Sequence, residues 1–245
     1  MSAGYFFTAD WDAPPSVKTL ITTRQGGVSK GVFASLNLGL HVGDRPQHVL
    51  HNRALVQQAV PVPMAYLNQT HSTDVVRAAD SIAQAQNADA SWDDTGKAAC
   101  TVMTADCLPV LFCHQSGNVV AAAHAGWRGL AGGILQNTVR AMGVPAHEIM
   151  AYLAPAIGAE SFEVGGDVQA AFCAPNPAAQ SCFAPLGNGK YLADIYGLAR
   201  QILQQAGVSR IYGGDFCTVK ESDRFFSYRR DGQTGRMASA VWIER

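Results

Sequence analysis

Short apolar runs separated by polar turns predict β-strands through the first half of the chain. Residues 17–23 are β-branched and typical of a strand, and residues 99–104 form a second apolar run of strand length. Two more apolar runs, residues 108–113 and 119–124, flank a turn-forming sequence at residues 115–118. These two runs predict an antiparallel hairpin, in which the start of the first strand lies beside the end of the second.

Helical spacing of apolar positions, together with start and stop residues, predicts four helices. Asp44 and Pro46 are typical of a helix start, Gly143 ends the strongest helical pattern, and Asp194 is a suitable N-cap. The predicted helices cover residues 47–59, 129–142, 167–173 and 194–206.

The rest of the chain divides into loops and short strands. Residues 24–43 are rich in Gly and Ser and predict a long ordered loop, whereas residues 81–96 are polar and predict an irregular segment. Further strands are predicted at residues 75–76, 209–212, 225–229 and 237–243. Helices mixed with hairpins, with no linker between them, favour one layered α/β or α+β domain with a mixed sheet over residues 1–245.

Composition and charge exclude several classes of function. The chain has 245 residues, and 18 Lys and Arg against 19 Asp and Glu give it a formal net charge of −1. That balance argues against nucleic acid or an anionic membrane surface as a partner. No apolar run approaches the ~20 residues of a spanning helix. Without a signal-peptide pattern or a Cys-x-x-Cys pair among its six cysteines, we expect a cytoplasmic protein with reduced thiols.

Chemistry in this sequence has to come from residues assembled across segments, because signatures such as His-Glu-x-x-His and Gly-x-Ser-x-Gly do not occur. Three metal-capable side chains, His71, Cys107 and His124, lie at the ends of predicted strands or in a loop nearby. The predicted hairpin brings Cys107 and His124 to one edge of the sheet, where His71 can complete the set. One thiolate and two imidazoles with an open fourth position are typical of a catalytic zinc site, and copper(I) accepts the same donors.

Spacing alone leaves other interpretations of these residues open. Separations of 36 residues between His71 and Cys107, and of 17 between Cys107 and His124, are not a metal-binding signature. A histidine near apolar neighbours also fits a hydrogen-bonded structural role, and a cysteine fits a buried apolar one. In a metal-free alternative, Cys107 is a nucleophile, His71 or His124 is its base, and Asp106 orients that base.

Together with other segments, these residues resemble the bacterial laccase-domain family, first described as multicopper polyphenol oxidases and later as zinc-dependent purine nucleoside phosphorylases. The resemblance covers the chain from about residue 22 to residue 243, with Ala154 as a conservative departure where glycine is expected. The matching stretches are Thr22-Thr-Arg-Gln-Gly-Gly-Val-Ser29, Ser35-Leu-Asn-Leu38, Gly43-Asp44, Asn52-Arg53, Gln69-Thr-His71, Thr104-Ala-Asp-Cys-Leu-Pro109, His124-Ala-Gly-Trp-Arg-Gly129, Pro155-Ala-Ile-Gly158, Phe162-Glu-Val-Gly165, Cys217-Thr218 and Phe226-Ser-Tyr-Arg-Arg-Asp231.

The resemblance implies both a fold and an activity. The implied fold is an α+β, α-β-β-α layered sandwich of mixed sheets, with His71, Cys107 and His124 as catalytic residues and zinc ligands. The implied activity is phosphorolysis of adenosine, inosine and S-methyl-5′-thioadenosine to a free base and a ribose 1-phosphate, with adenosine deaminase activity at the same site. Purine nucleosides and phosphate are therefore the expected partners, and a monomer or homodimer is the expected assembly.

Phosphorolysis needs side chains that hold phosphate, and arginine matches phosphate oxygens with paired hydrogen bonds. Among the candidates, Arg128 stands out because it lies four residues after His124. Asp106 is expected to orient a metal ligand, and Trp127 either stacks on a purine or belongs to the core. The candidate phosphate-binding residues are Arg24, Arg128, Arg229 and Arg230.

Three rival functions stay open at this point. A copper-dependent phenol oxidase needs several copper sites, and the seven histidines, two of them already in the zinc set, are few for that purpose. A metal-free cysteine hydrolase, linked to the editing of cell-wall precursors, would use Cys107 as its nucleophile. A binding module without activity would keep the pocket but show neither metal nor turnover.

Overall fold

Two large β-sheets make up the centre of the molecule, and a small, largely exposed sheet accompanies them. The computed structural model describes residues 5–245. The strands of these residues are, in chain order, β1 (Phe6–Phe7), β2 (Val17–Thr22), β3 (Met64–Ala65), β4 (Val75–Arg77), β5 (Ala90–Asp93), β6 (Ala99–Thr104), β7 (Leu108–His114), β8 (Val120–Ala125), β9 (Ile149–Leu153), β10 (Glu163–Gly165), β11 (Phe183–Gly187), β12 (Lys190–Ala193), β13 (Arg210–Gly213) and β14 (Met237–Ile243). The five-stranded sheet has the order β1-β2-β14-β6-β3, the six-stranded sheet has the order β13-β9-β7-β8-β5-β4, and the small sheet has the order β10-β12-β11.

Helices flank these sheets. In the described part of the chain the α-helices are α1 (Pro46–Gln57), α2 (Trp127–Gly132), α3 (Ile134–Ala141), α4 (Gly166–Cys173), α5 (Ile195–Gln205) and α6 (Tyr228–Asp231). Short 3₁₀ helices cover Gly31–Phe33, Ala78–Ser81, Ala146–Glu148 and Pro177–Cys182. Between residues 5 and 245, no helix combines the length and apolarity that crossing a membrane requires.

The two large sheets pack face to face around a shared apolar core. Val102 and Val241 of the five-stranded sheet belong to the same buried cluster as Leu111 and Ala122 of the six-stranded sheet. Helix α1 packs on the outer face of the five-stranded sheet, and α3 and α5 pack on the outer face of the six-stranded sheet. Both large sheets contain parallel and antiparallel pairs. The expected α-β-β-α layered sandwich with mixed sheets, in a single domain, is therefore confirmed.

The hairpin of β7 and β8 lies at the centre of the six-stranded sheet and is buried over its whole length. Helices cover one face of this sheet and the second sheet covers the other, so every position in both strands except His114 and His124 is apolar or small. The observed register pairs Leu111 with Ala122 and Phe112 with Ala121. The predicted antiparallel hairpin is thus confirmed, and its burial on both faces explains the continuous apolar runs.

The single helix predicted over residues 129–142 is wrong, because two helices, α2 and α3, occupy this stretch. Gly133 separates them with a φ of 104°, a left-handed conformation that favours glycine. Leu130, Ile134 and Leu135 all face the same core, so the apolar spacing continues across the break. That continuity is why the spacing predicted one helix.

Two other sequence-based expectations are wrong. Residues 225–229 form no strand; instead Ser227 caps α6, with its Oγ accepting a hydrogen bond from the backbone N of Arg230 at 3.2 Å. Residues 81–96 are not irregular throughout, because they contain β5, which pairs with β8 and β4. Strand β9, which was not predicted, lies between β7 and β13. Pairing with distant strands, rather than local sequence, determines β5 and β9.

The long loop predicted at residues 24–43 is present, and a buried asparagine of α1 holds it in place. Asn52 is 0% exposed, and its Oδ1 accepts a hydrogen bond from the backbone N of Val28 at 2.9 Å. Its Nδ2 donates to Ser29 Oγ at 3.0 Å and to the backbone O of Asn37 at 2.9 Å. Removing this side chain would leave several buried polar groups without partners.

Replacing Asn52 with Ala is therefore expected to lower the free energy of unfolding by about 2–4 kcal/mol. Urea unfolding of the two proteins measures this difference. The matched control is His51→Ala on the exposed side of the same helix, which we expect to change stability by no more than about 0.5 kcal/mol. An Asn52→Ala variant as stable as this control would contradict the anchoring role of Asn52.

Candidate metal and active site

The central hairpin places two of the candidate ligands at one end of the six-stranded sheet. Cys107 immediately precedes β7, and His124 is the penultimate residue of β8. The register pairs Leu108 with Ala125 and Pro109 with His124. The antiparallel pairing therefore holds the thiol and the imidazole close together, although 17 residues separate them in the chain.

His71 joins this pair from the loop between β3 and β4. Its Nε2 lies 4.0 Å from Cys107 Sγ, and its ring centroid lies 4.9 Å from that of His124. One donor atom from each of the three side chains lies within 4.8 Å of the other two. Within residues 5–245, this is the only such group of three or more His, Cys, Asp or Glu side chains.

A buried carboxylate organises two of these candidate ligands. Asp89 is 0% exposed, and its Oδ1 accepts a hydrogen bond from His124 Nδ1 at 2.7 Å. Its two oxygens also accept hydrogen bonds from the backbone N of Thr70 and His71, both at 3.1 Å, and of Ser72 at 2.6 Å. Asp89 therefore fixes both the imidazole of His124 and the backbone that carries His71.

The donor set fits a tetrahedral metal ion. Bond lengths of about 2.0 Å to nitrogen and 2.3 Å to sulfur imply donor separations of roughly 3.3–3.8 Å. The 4.0 Å between Cys107 Sγ and His71 Nε2 is close to this range. Because Asp89 engages Nδ1 of His124, Nε2 is the atom left available to a metal ion. Three protein donors leave a fourth position for substrate or water, and these donors suit zinc or copper(I).

Gly126, two residues after His124, makes room for the group. A Cβ atom at this position would lie 2.8 Å from His71 Cδ2 and 3.1 Å from Cys107 Sγ. Any side chain here would push the two ligands apart. The His-Ala-Gly sequence at residues 124–126 thus supplies a candidate ligand and also the space that the other two candidate ligands need.

Burial and charge act in opposite directions on the titration of Cys107 and His124. Burial favours the neutral thiol, but the positive charge of His124 and hydrogen bonds from both imidazoles outweigh it and lower the pKa of Cys107 to about 6. Burial also disfavours a charged imidazole, but the Cys107 thiolate and the Asp89 carboxylate raise the pKa of His124 to about 9. At neutral pH the metal-free protein therefore holds a thiolate next to an imidazolium.

The three side chains open into a cavity of about 470 Å³. Its walls combine apolar and aromatic side chains with a few polar groups, as is typical of sites for small molecules. The lining residues are His41, Gln69, His71, Met103, Thr104, Ala105, Asp106, Cys107, His124, Trp127, Ile157, Phe162, Ile195, Tyr228, Arg229 and Arg236.

Of the four candidate phosphate-binding arginines, the structure brings one to this cavity. Among all arginines of residues 5–245, only Arg229 and Arg236 line it. The guanidinium of Arg24 donates to two backbone carbonyls, and that of Arg230 donates to three carbonyls and a carboxylate. Arg128 is exposed and stacks on the neighbouring indole, 4.4 Å from the ring centroid.

The carboxylate of Asp106, beside Cys107, does not bond to the side chains of the metal-capable group. Its Oδ1 accepts a hydrogen bond from Thr218 Oγ1 and its Oδ2 accepts one from the backbone N of Arg229, both at 2.6 Å. These two hydrogen bonds attach the turn before β7 to the segments that contain Thr218 and Arg229. The expectation that Asp106 orients a ligand imidazole is therefore not met, because Asp89 occupies that position at His124.

The sequence profile of a family described as multi-copper polyphenol oxidoreductase laccase matches residues 18–244. The chain belongs to this family. The match covers both large sheets apart from β1 and the first residue of β2, and it includes the central hairpin and the complete His-Cys-His group. The resemblance stated from sequence motifs is therefore confirmed.

Relatives and solved structures of this laccase family cover nearly the whole chain. Purine nucleoside phosphorylase PA4543 of Pseudomonas aeruginosa is 50% identical over 240 residues, which are 98% of each chain. Purine nucleoside phosphorylase YfiH of Escherichia coli is 50% identical over 235 residues, 95% of this chain and 96% of that one. The crystal structure of Neisseria meningitidis protein NMB0706 has a TM-score of 0.98 at 64% identity, covering 98% of this chain and 100% of the other. The crystal structure of YlmD from Geobacillus stearothermophilus has a TM-score of 0.93 at 31% identity, covering 100% of this chain and 98% of the other.

Sequence analysis of this laccase-family chain missed two residues of the site, Asp89 and Arg236. Both lie next to a strand end, since Asp89 directly precedes β5 and Arg236 directly precedes β14. A polar residue at a strand end was the signal that revealed Cys107 and His124. Asp89 was missed because the polar residues 81–96 predict an irregular segment. Arg236 was missed because the Thr234-Gly235 turn before β14 indicates a change of direction but no chemistry.

Replacing Asp89 with Asn is expected to weaken zinc binding by roughly 10–100-fold, because the imidazole of His124 loses the carboxylate that orients it. Competition with a chromophoric zinc chelator measures the affinity, and far-UV circular dichroism checks the fold. Asp74→Asn, which changes an exposed carboxylate of the adjoining loop, is the control. Unchanged zinc affinity in a folded Asp89→Asn protein would show that Asp89 does not support the site.

Alkylation of Cys107 in the metal-free protein is expected to follow a pKa near 6, the value to which the two imidazoles lower it. The thiolate is therefore present above that pH and is lost as the pH falls through it. Iodoacetamide labelling at a series of pH values, read by mass spectrometry, gives the profile. Cys173, whose pKa burial raises, is the internal control. A Cys107 profile that rises only near the ordinary thiol value of about 8.5 would contradict the thiolate–imidazolium pair.

Proposed function

We propose that this protein is a zinc-dependent purine nucleoside phosphorylase acting on adenosine, inosine and S-methyl-5′-thioadenosine. The proposal rests above all on the convergence of the His-Cys-His group and two arginines on one cavity. Its support from the comparisons is the 50% identity to proteins named purine nucleoside phosphorylase. The products are the free base and the sugar 1-phosphate.

Zinc suits the donors of this site. His71, Cys107 and His124 would hold the ion, which when bound supplies a Lewis acid beside the substrate. Asp89 keeps the imidazole of His124 in the tautomer that leaves Nε2 for the ion. These four residues thus hold one wall of the cavity in a fixed geometry for the substrate.

Phosphorolysis breaks the bond between C1′ of the sugar and N9 of the purine and forms a bond between C1′ and a phosphate oxygen. The electron pair of the broken bond stays with the base, which takes up a proton, while the sugar becomes positively charged in the transition state. The anionic phosphate stabilises that charge. The carboxylate of Asp106 lines the same cavity and adds a second negative charge near the reacting sugar.

Aromatic side chains give the purine a surface on which to stack. Trp127, Phe162 and Tyr228 line the cavity, and Tyr228 is 61% exposed at its edge. Stacking tolerates different exocyclic groups, because every base has a π-face. This supports acceptance of both adenine and hypoxanthine nucleosides. Ile157 and Ile195 add apolar walls that exclude water from the glycosidic bond.

We also propose that the same site deaminates adenosine. That reaction replaces the amino group on C6 of the purine with oxygen from water and releases ammonia. It requires a water molecule beside C6 and a group that accepts its proton. His71 lines the cavity and is exposed to solvent, so water can enter beside it.

The test is phosphate-dependent release of hypoxanthine from inosine by the zinc-loaded protein. Cys107→Ala is expected to lose most of its zinc and at least about 100-fold in kcat/KM, because it removes a donor and the thiolate charge. Its far-UV circular dichroism should not change, since the hairpin backbone is independent of this side chain. Cys173→Ala, away from the cavity, is the matched control. A wild-type protein that releases no base with phosphate would refute the proposed function, and retained zinc and turnover in Cys107→Ala would remove Cys107 from the site.

A cysteine hydrolase is the second candidate function. Cys107, His124 and Asp89 form a chain of nucleophile, base and orienting carboxylate, which is the arrangement of a catalytic triad. In that reaction the Cys107 thiolate would attack an acyl carbon without zinc, and the leaving group would depart with a proton from the His124 imidazolium to give a thioester. Water, deprotonated by His124, would then release the acid and restore the thiolate. Zinc chelation distinguishes the two candidates, because it would abolish the phosphate-dependent release of hypoxanthine but leave the hydrolysis of an acyl substrate by Cys107 unchanged.

The family description also raises copper-dependent phenol oxidation. Multicopper oxidation requires several histidine-rich copper sites, whereas residues 5–245 contain one group of three metal-capable side chains. The donor count therefore favours a single ion. Metal analysis of the purified protein, with about one zinc and no copper per chain as the result expected, separates the two chemistries.

A further inference from the structure

Two guanidinium groups of the cavity have no carboxylate partner within the described residues. Arg229 Nη1 donates to the backbone O of Glu163 at 2.8 Å, and the carboxylate of that glutamate is paired with a lysine at 2.5 Å. Arg236 Nη1 donates to the backbone O of Thr234 at 3.1 Å and of Gly235 at 3.0 Å. Inside residues 5–245 the remaining N–H groups of both arginines donate no hydrogen bond, so they are available to a ligand.

Arg236 is the more buried of the two and lies within electrostatic reach of the metal-capable group. Burial lowers the pKa of Arg236, while the charges of Cys107 and Asp106 act in the opposite direction. A guanidinium stays protonated in proteins even so. A cation that is partly removed from water without a paired anion is costly, and an anionic ligand offsets that cost.

The loop of residues 24–45, which lies between β2 and α1, contacts Arg236 through Asn37 and Gly39. Asn37 Oδ1 accepts hydrogen bonds from the backbone N of Arg236 and of Gly39, both at 2.9 Å. Asn37 Nδ2 donates to Asp44 Oδ2 at 3.0 Å, and a buried serine hydroxyl also donates to that oxygen at 2.6 Å. This network of buried polar groups fixes the backbone from which the guanidinium extends.

Gly39 leaves space for the side chain of Arg236. A Cβ atom on Gly39 would lie 2.8 Å from Arg236 Cγ and 3.3 Å from Arg236 Cβ. The aliphatic part of the arginine therefore fills the volume that a side chain at residue 39 would take. Asn37, Gly39 and Asp44, which have no part in the metal-capable group, thereby gain a common role in positioning Arg236.

We propose that Arg236 and Arg229 form the phosphate subsite of the cavity, and that the loop of residues 24–45 is its positioning element. This inference rests on the proposed phosphorylase function and names the residues that hold its second substrate. Two guanidinium groups with unused donors match the oxygens of a phosphate dianion. Arg24 and Arg230 do not line the cavity, so their guanidinium groups lie outside this subsite.

Inorganic phosphate and the 5′-phosphate of a nucleotide share the chemistry that this subsite recognises. Inorganic phosphate is the ligand we assign, because phosphorolysis consumes it as the attacking group. A subsite for nucleotides would instead bind adenosine 5′-monophosphate, and inorganic phosphate would displace that nucleotide only weakly. Binding of the two probes to the same protein therefore distinguishes these sources.

The kinetic test compares Arg236→Met with Arg77→Met, which changes an exposed arginine outside the cavity. Arg236→Met is expected to raise KM for phosphate roughly tenfold or more while KM for inosine stays within about twofold. Arg236→Lys should recover part of the loss, because it restores the charge without the paired donors. Gly39→Ala should raise KM for phosphate in the same direction through displacement of Arg236. Equal phosphate KM in Arg236→Met and Arg77→Met, or a larger rise in Arg128→Met, would overturn the assignment.

Equilibrium binding tests the subsite without turnover. Isothermal titration calorimetry of inorganic phosphate into zinc-free wild-type protein should show binding that weakens about tenfold or more in Arg236→Met. Unchanged phosphate affinity, or loss of adenosine 5′-monophosphate binding alone, would refute a phosphate subsite. If wild-type protein binds phosphate through Arg236 but releases no base, the proposed function fails while the anion site stands. If Arg236→Met does not fold, the Arg236→Lys and Gly39→Ala variants decide the same question.

Discussion

A single buried carboxylate joins the loop that carries His71 to the hairpin that carries Cys107 and His124. Asp89 accepts four hydrogen bonds, three from consecutive backbone N–H groups and one from an imidazole. A charged group with no access to water is stable only because these donors replace its hydration. The same bonds fix the imidazole of His124 and the backbone that carries His71.

The layered architecture explains why two kinds of binding groups face one cavity. Cys107 and His124 lie at one end of the six-stranded sheet, whereas Arg236 directly precedes β14 of the five-stranded sheet. Met237, the first residue of β14, pairs with Thr104, the last residue of β6. The ends of both sheets therefore meet at the cavity. Metal-capable donors come from one layer and a guanidinium comes from the other, which suits a reaction between two substrates.

An element of the fold was predictable when its own apolar pattern reflects its burial, and not when pairing with distant strands determines it. Strands β7 and β8 were predictable because both faces of their sheet are covered, which makes each of them a continuous apolar run. Strand β5 was not predictable, since its four residues, Ala90–Asp93, are held by pairing with β8 and β4. The break at Gly133 was also hidden, because the residues before and after it face the same core.

The sequence by itself determined the types of donor in the site, two imidazoles and a thiol, and the hairpin that joins Cys107 to His124. Only the tertiary structure decided which carboxylate and which arginines serve that site. Asp89 contacts a histidine 35 residues away, and Arg236 is held by Asn37 from 199 residues away. Local propensities and spacing carry no information about such contacts, because the buried hydrogen bonds that select them exist only when the two sheets and the long loop have packed.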